Sequence, residues 1–184
     1  MPAREKTTQE AIVAAGRELV ERLGLDGLTM QAVAERVGVR APSLYKRVRN
    51  RGELVDLVVG SVIEDLAREL RGAINGIEDP REQLACAAAA LRSFGHERPE
   101  SYELVFGLAQ EASEPTRAAR DHAVAPILSA CSALVGDQHA LDAARLVTAW
   151  ANGFITMELA ESFQMGGDVD RAWAWGLERI LRAL

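Results

Sequence analysis

Six cations, Arg36, Arg40, Lys46, Arg47, Arg49 and Arg51, fall within residues 36–51 with no Asp or Glu among them. Guanidinium and ammonium groups at this density neutralise phosphates and release their condensed counterions, so the chemistry on offer is adhesion to a polyanion. A run of charge alone also fits a solvated basic surface. Patterns for bond-making chemistry are missing elsewhere: the chain has no Gly-Lys phosphate loop, no His-Glu-x-x-His, no Glu-x-x-His and no Gly-x-Ser-x-Gly, and His96, His122 and His139 are scattered. No enzyme activity, metal or cofactor is expected. Cys86 and Cys131 sit on apolar helical stretches with no Cys-x-x-Cys pair, which predicts buried, reduced thiols.

The elements around the cations decide between the two readings. Thr29 can N-cap a short helix with Val33, Ala34 and Val37 on its buried face, and Gly38 ends it. Pro42 suits a first helical turn, so Ala41 to Val48 is read as a second short helix that turns Ser43, Tyr45, Lys46 and Arg47 outward. Ala34, Gly38 and Leu44 have the spacing of a helix-turn-helix: a small residue lets the helices approach, a glycine makes a left-handed turn, and a leucine packs beneath the second helix. Upstream, Thr7 with Glu10 reads as a capping box before Ile12, Ala15, Leu19 and Leu23; downstream, Asn50 with Glu53 opens a helix with Leu54, Leu57, Val58, Val62 and Leu66 inward.

The rest of the chain reads as helix almost throughout. Asp79-Pro80 starts a helix with Leu84, Ala88, Leu91 and Phe94 on one face, Arg98-Pro99 separates it from a shorter one reaching Gln110, and Glu114-Pro115 marks the next boundary. Pro126 is expected to kink or split the segment 116–134. Gly136-Asp137 precedes the apolar stretch 139–163, and Gly166-Gly167-Asp168 leads into a last helix ending at Leu184. The fold class is therefore all-α with about nine helices: a three-helix DNA-binding domain at residues 1–50 and a larger helical domain at 51–184.

Composition agrees: 184 residues with 48% hydrophobic and 26% charged side chains can bury a proper core. Net charge is −6 overall, but residues 1–60 hold ten Lys or Arg against eight Asp or Glu, and residues 61–184 hold eleven against nineteen. An acidic body helps to point the basic end at DNA. The opening MPAREKTTQE lacks the apolar core of a signal peptide and no apolar run reaches membrane-spanning length, so a cytoplasmic location without membrane contact is expected.

Residues 7–58, TTQEAIVAAGRELVERLGLDGLTMQAVAERVGVRAPSLYKRVRNRGELVDLV, resemble the TetR family of bacterial transcriptional regulators. The resemblance implies that Thr29, Arg40, Ser43, Tyr45 and Lys46 contact DNA, Tyr45 and Lys46 mainly on phosphates and Arg40 and Ser43 nearer base edges. Arg47 departs from the aromatic or histidine common there, and adds a phosphate contact or changes the bases read. FGHERPESYELVF at 94–106 and WANGFITMELAESF at 150–163 resemble the body of a branch named for a Trp-His-Gly signature, with Asn152 where that signature has histidine. This implies a pocket lined by Phe94, Tyr102, Phe106, Trp150, Asn152, Phe154 and Met157 for an uncharged or amphipathic organic effector, with plain core packing as the other reading of each; His96 would lie near its edge.

The last two helices carry more apolar surface than one body can cover: Leu146, Val147, Trp150, Phe154, Met157 and Leu159, then Trp173, Trp175, Leu177, Ile180 and Leu181. A homodimer would bury the excess and offer two recognition helices to half-sites of a palindromic operator, roughly 34 Å apart for one helical turn. The expected function is a repressor released by its effector; the alternatives are an activator, or a helical small-molecule carrier without a DNA target.

Overall fold

Side-chain caps set where the helices begin. Thr8 Oγ1 accepts from the Ala11 N–H at 3.2 Å, Thr29 Oγ1 from Ala32 at 3.1 Å and Asn50 Oδ1 from Glu53 at 2.9 Å. Asp79 does the same for Arg81 at 3.2 Å and Asp168 for Arg171 at 3.0 Å. Each supplies an acceptor to an N–H that the first helical turn leaves unpaired.

The computed structural model describes residues 8–107 and 113–184. Among them are nine α-helices and no strand: α1 Gln9–Leu23, α2 Met30–Val37, α3 Ala41–Leu44, α4 Arg51–Ile74, α5 Pro80–Glu97, α6 Pro99–Gly107, α7 Glu114–Val135, α8 Asp137–Leu159 and α9 Val169–Ala183, with one 3-10 turn at Leu25–Gly27. They form two compact units, one from residues up to Asp65 together with Arg98–Arg120, the other from Leu66–Glu97 and Asp121–Leu184. Helices α4 and α7 each contribute to both units.

In the first unit α1 buries Ile12, Ala15, Gly16, Leu19 and Val20, and α2 buries Met30, Val33 and Ala34. Gly16 is a contact point: a Cβ there would lie 2.7 Å from Val58 Cγ2 on α4. Gly38, at φ +78°, closes α2 in the left-handed conformation, with its N–H returned to Glu35 O at 3.1 Å and that of Val39 to Ala34 O at 2.9 Å. The second unit packs α5, α8 and α9 against one another. Its core takes Leu84, Leu91 and Phe94 from α5, Val147, Ala151 and Ile155 from α8, and Trp173, Leu177 and Leu181 from α9.

Several expectations change. The cap of α1 is Thr8, whose extended backbone and hydroxyl meet Ala11, the third helical residue; Thr7 lies outside the described residues. The helix expected over Ala41–Val48 is regular only to Leu44, because the Leu44 carbonyl takes both the Arg47 N–H at 2.9 Å and the Val48 N–H at 3.0 Å, tightening the winding into turns. Leu23 is 56% exposed, since α1 has run past the core by its last residue. Pro126 does not split α7; the carbonyl it leaves without a donor belongs to His122, an exposed residue within reach of water. Gln110, the expected end of α6, lies outside the described residues. Val147, Trp173, Leu177 and Leu181, counted above as surplus surface, fill the second unit's own core.

Candidate nucleic-acid interface

The short helix α3 and the turns that follow it, as far as Val48, are anchored from below and charged above. Leu44 and Val48 are both 0% exposed, fixing the segment on the core, while Tyr45 is 52% exposed and Lys46 and Arg47 lie in solvent. Arg40 is exposed at the start of α3, its carbonyl accepting from the half-buried Ser43 at 2.8 Å. Thr29 is exposed, and its hydroxyl oxygen accepts from Ala32 while its own O–H proton is not used by that bond. All six residues expected to meet DNA are therefore in the first unit, five of them exposed.

The six-cation run divides on folding. Arg36 pairs with Glu18 of α1 at 2.5 Å, which holds that carboxyl below its ordinary range chiefly through the hydrogen bond. Arg49 pairs with Glu53 at 3.1 Å, and Glu53 also accepts the Arg49 backbone N–H at 2.6 Å, completing the capping arrangement around Asn50 one residue earlier than a standard capping box would. Arg51 donates to two backbone carbonyls. Arg40 and Lys46 have no ion pair among the described residues, and their charge faces water.

The residues expected to line a pocket fall into two groups. Tyr102 and Phe106 are in the first unit with ring centroids 4.6 Å apart, and burial pushes the Tyr102 phenol far up. Phe94, Trp150, Asn152, Phe154 and Met157 are in the second: Phe94 is wholly buried, Trp150, Asn152 and Phe154 are half-buried, and Met157 is 44% exposed. Trp150 and Phe154 belong to an aromatic cluster that also holds Phe163 and Trp173, with centroids from 4.8 to 5.6 Å apart. Phe163 lies within the apolar stretch read from the sequence, but nothing in its spacing marked it as a cluster member. The Arg92 guanidinium stands 5.2 Å over the Trp173 ring and bonds Glu158 at 2.5 and 2.9 Å and Asp170 at 2.6 Å. His96 reaches the same Glu158 at 3.3 Å. A shallow cleft of about 440 Å³ runs beside Arg92, Ser93, His96, Asp170 and Trp173. Sequence reasoning missed Arg92, Glu158 and Asp170, whose separations of 66 and 78 residues leave no local signal.

Among the described residues no three His, Cys, Asp or Glu side chains converge on a metal-sized site, and no helix is long and apolar enough to cross a membrane. Both cysteines are free, Cys131 buried and its thiol pushed up by that burial, Cys86 half-buried.

Residues 12–58 match the family described as bacterial regulatory proteins, tetR family, and residues 84–180 match the one described as tetracyclin repressor-like, C-terminal domain. An uncharacterised HTH-type transcriptional regulator of Mycobacterium tuberculosis is 31% identical over 159 residues, 84% of this chain and 71% of that protein. The HTH-type transcriptional activator FasR of Mycolicibacterium smegmatis is 28% identical over 103 residues, 56% of this chain and 47% of its own length. A protein of unknown function from Rhodococcus sp. RHA1 shares the fold with a TM-score of 0.85 at 22% identity, across 100% of this chain and 98% of that one.

Proposed function

Because the chain belongs to the TetR family of transcriptional regulators, we propose that it is a ligand-responsive repressor, released from a palindromic operator by a small organic molecule. The observation that carries the DNA-binding part is α3 with the turns that follow it, where Leu44 and Val48 are buried beneath exposed Tyr45, Lys46 and Arg47. Lys46, Tyr45 and Arg47 would hold phosphates, as would the spare O–H proton of Thr29. Arg40 and Ser43 would lie nearer base edges. In this reading residues 1–50 read DNA, and residues 51–184 bind the effector and pair two copies of the chain.

Leu146, Met157 and Trp175, from 44% to 60% exposed, support pairing through α8 and α9, which would set two recognition segments on one face of a duplex. Tyr102 and Phe106 lie in the first unit and are not part of the effector site; the effector would contact the candidate pocket residues of the second unit, Phe94, Trp150, Asn152, Phe154 and Met157. An uncharged or amphipathic molecule fits their mostly apolar chemistry. It would favour a conformation in which α4 tilts and the two heads leave register with the grooves. Taking such a switch from 99:1 to 1:99 needs about 5.5 kcal/mol of differential affinity. Activation is the second reading, favoured by the similarity to the activator FasR.

The test is fluorescence anisotropy on DNA from upstream of the chain's own gene, at two salt concentrations, against scrambled DNA. Saturable preference for one palindrome that weakens steeply with salt is expected, with Lys46→Ala lowering the slope of log K against log salt by about 0.9 on every sequence. Tight small-molecule binding with no DNA preference would instead make the protein a carrier. Transcription in vitro from the bound promoter separates repression from activation.

A further inference from the structure

Arg51 is the first residue of α4 and belongs to the basic run, yet its side chain turns back onto the main chain. Its Nε donates to the Leu28 carbonyl at 2.8 Å and its Nη2 to the Leu25 carbonyl at 2.7 Å. These two carbonyls flank the end of α1 and the start of α2. Leu25 opens the 3-10 turn, and its carbonyl also accepts from the Leu28 N–H at 3.1 Å; Leu28 is 0% exposed and directly precedes Thr29, the cap of α2.

We propose that Arg51 is a positioning residue for DNA recognition: its guanidinium fork fastens the turn before α2 to the first residue of α4, and so sets how α2 and α3 are presented, without itself holding a phosphate. The inference rests on the reading of α3 as the DNA-contacting element. The chemistry requires arginine. A planar guanidinium offers donors in a rigid fork that two carbonyls in different directions can share, whereas a lysine is a single point charge on a flexible stem. Charge-assisted bonds of this kind are among the stronger ones available at a surface. Asn50, immediately before Arg51, caps α4 through Glu53, so the root of the fork is itself fixed. Without the fork the helix-turn-helix would sample several orientations, and apparent affinity would fall in proportion to the fraction still competent to bind.

Arg51→Lys and Arg51→Ala test this in the full-length protein. In the free protein, the carbonyl ¹³C resonances of Leu25 and Leu28 should both move in Arg51→Lys, with the urea midpoint of the second unit, read by its tryptophans, unchanged. On the operator, Arg51→Lys should lose about tenfold or more in the ratio of specific to non-specific binding, although it keeps the positive charge. Arg51→Ala should bind with the salt slope of the wild type. A phosphate contact predicts the reverse: Arg51→Lys close to wild type, and Arg51→Ala lowering the slope by about 0.9. Either of those results overturns the proposal, as do unmoved carbonyl resonances. A wild-type protein without operator preference would overturn the DNA reading, leaving the carbonyl resonances to decide the fork.

Discussion

In the first unit Arg40 and Lys46 stand in water without an ion pair among the described residues, while in the second Arg92 is held by Glu158 and Asp170 and lies over Trp173. Glu158 has 6% of its side chain exposed and Arg92 18%. A charge so far out of water is costly unless another meets it, whereas one left in water keeps its hydration and remains available to a polyanion. The second unit therefore uses its cation as structure. The first unit divides its cations: Arg36, Arg49 and Arg51 are exposed but engaged by acceptors of the same unit, and Arg40 and Lys46 have no ion pair among the described residues. The number of cations in a segment is thus a poor measure of its affinity for phosphate.

The largest test of that contrast is Glu158→Ala. It leaves Arg92 with one partner that is 84% exposed, and should cost about 3 kcal/mol in urea unfolding read by tryptophan emission. Asp170→Ala should cost about 0.5 kcal/mol or less. Equal losses for the two would show that burial is not what distinguishes the pairs. The Glu158 carboxyl is held below its ordinary value because the bonds from Arg92 and His96 outweigh the upward push of burial. The unfolded chain then binds that proton more readily, so the stabilisation is complete above the ordinary carboxylate range and is lost as pH falls through the folded value. Glu158→Gln should flatten the acid limb of stability against pH.

A second test addresses packing, with an effect no larger than the first. Gly16→Ala drives a methyl into Val58 at the α1–α4 crossing of the first unit, and Gly176→Ala drives one to 2.6 Å from Cζ2 of Trp150 in the second. Each should destabilise by about 1–3 kcal/mol. Trp150, Trp173 and Trp175 all lie in the second unit. Gly176→Ala should therefore change the emission spectrum of the folded protein, while Gly16→Ala should weaken DNA binding and leave emission as it was. A spectral change in Gly16→Ala would show that the units do not keep their cores separate. A third test addresses a single cap. Thr29→Ala removes the acceptor for Ala32 and should cost about 1 kcal/mol, measured as a lower urea midpoint by circular dichroism.

Much of the fold was legible because its signals are local. Thr29, Asn50, Asp79 and Asp168 each act on a backbone N–H two or three residues on, and Gly38 acts at its own φ, so residue type and position suffice. The misreadings at Thr7 and Val48 concern ends of elements, where a shared carbonyl or a one-residue shift changes the boundary without changing the pattern. In the candidate interface the outward placement of Tyr45, Lys46 and Arg47 follows from Leu44 and Val48 being apolar. The division of the basic run follows only in part: Glu53 stands one helical turn from Arg49, whereas the Glu18 that takes Arg36 and the two carbonyls that take Arg51 lie 18, 23 and 26 residues away.

The amino-acid order by itself determined which segments are helical, which end of the chain is basic, and which residues of α3 and the turns after it face away from the core, since capping and periodicity are decided within one or two turns. Only the tertiary structure decided that Arg36 meets Glu18, that Glu21 of α1 accepts the Ser101 N–H of α6 at 3.2 Å, that Arg92 joins Glu158 and Asp170, and that Arg51 grips two carbonyls. The reason is physical: a long side chain takes whichever acceptor packing brings within reach, and a backbone carbonyl, present at every residue, leaves no mark in the sequence to say that it has been chosen.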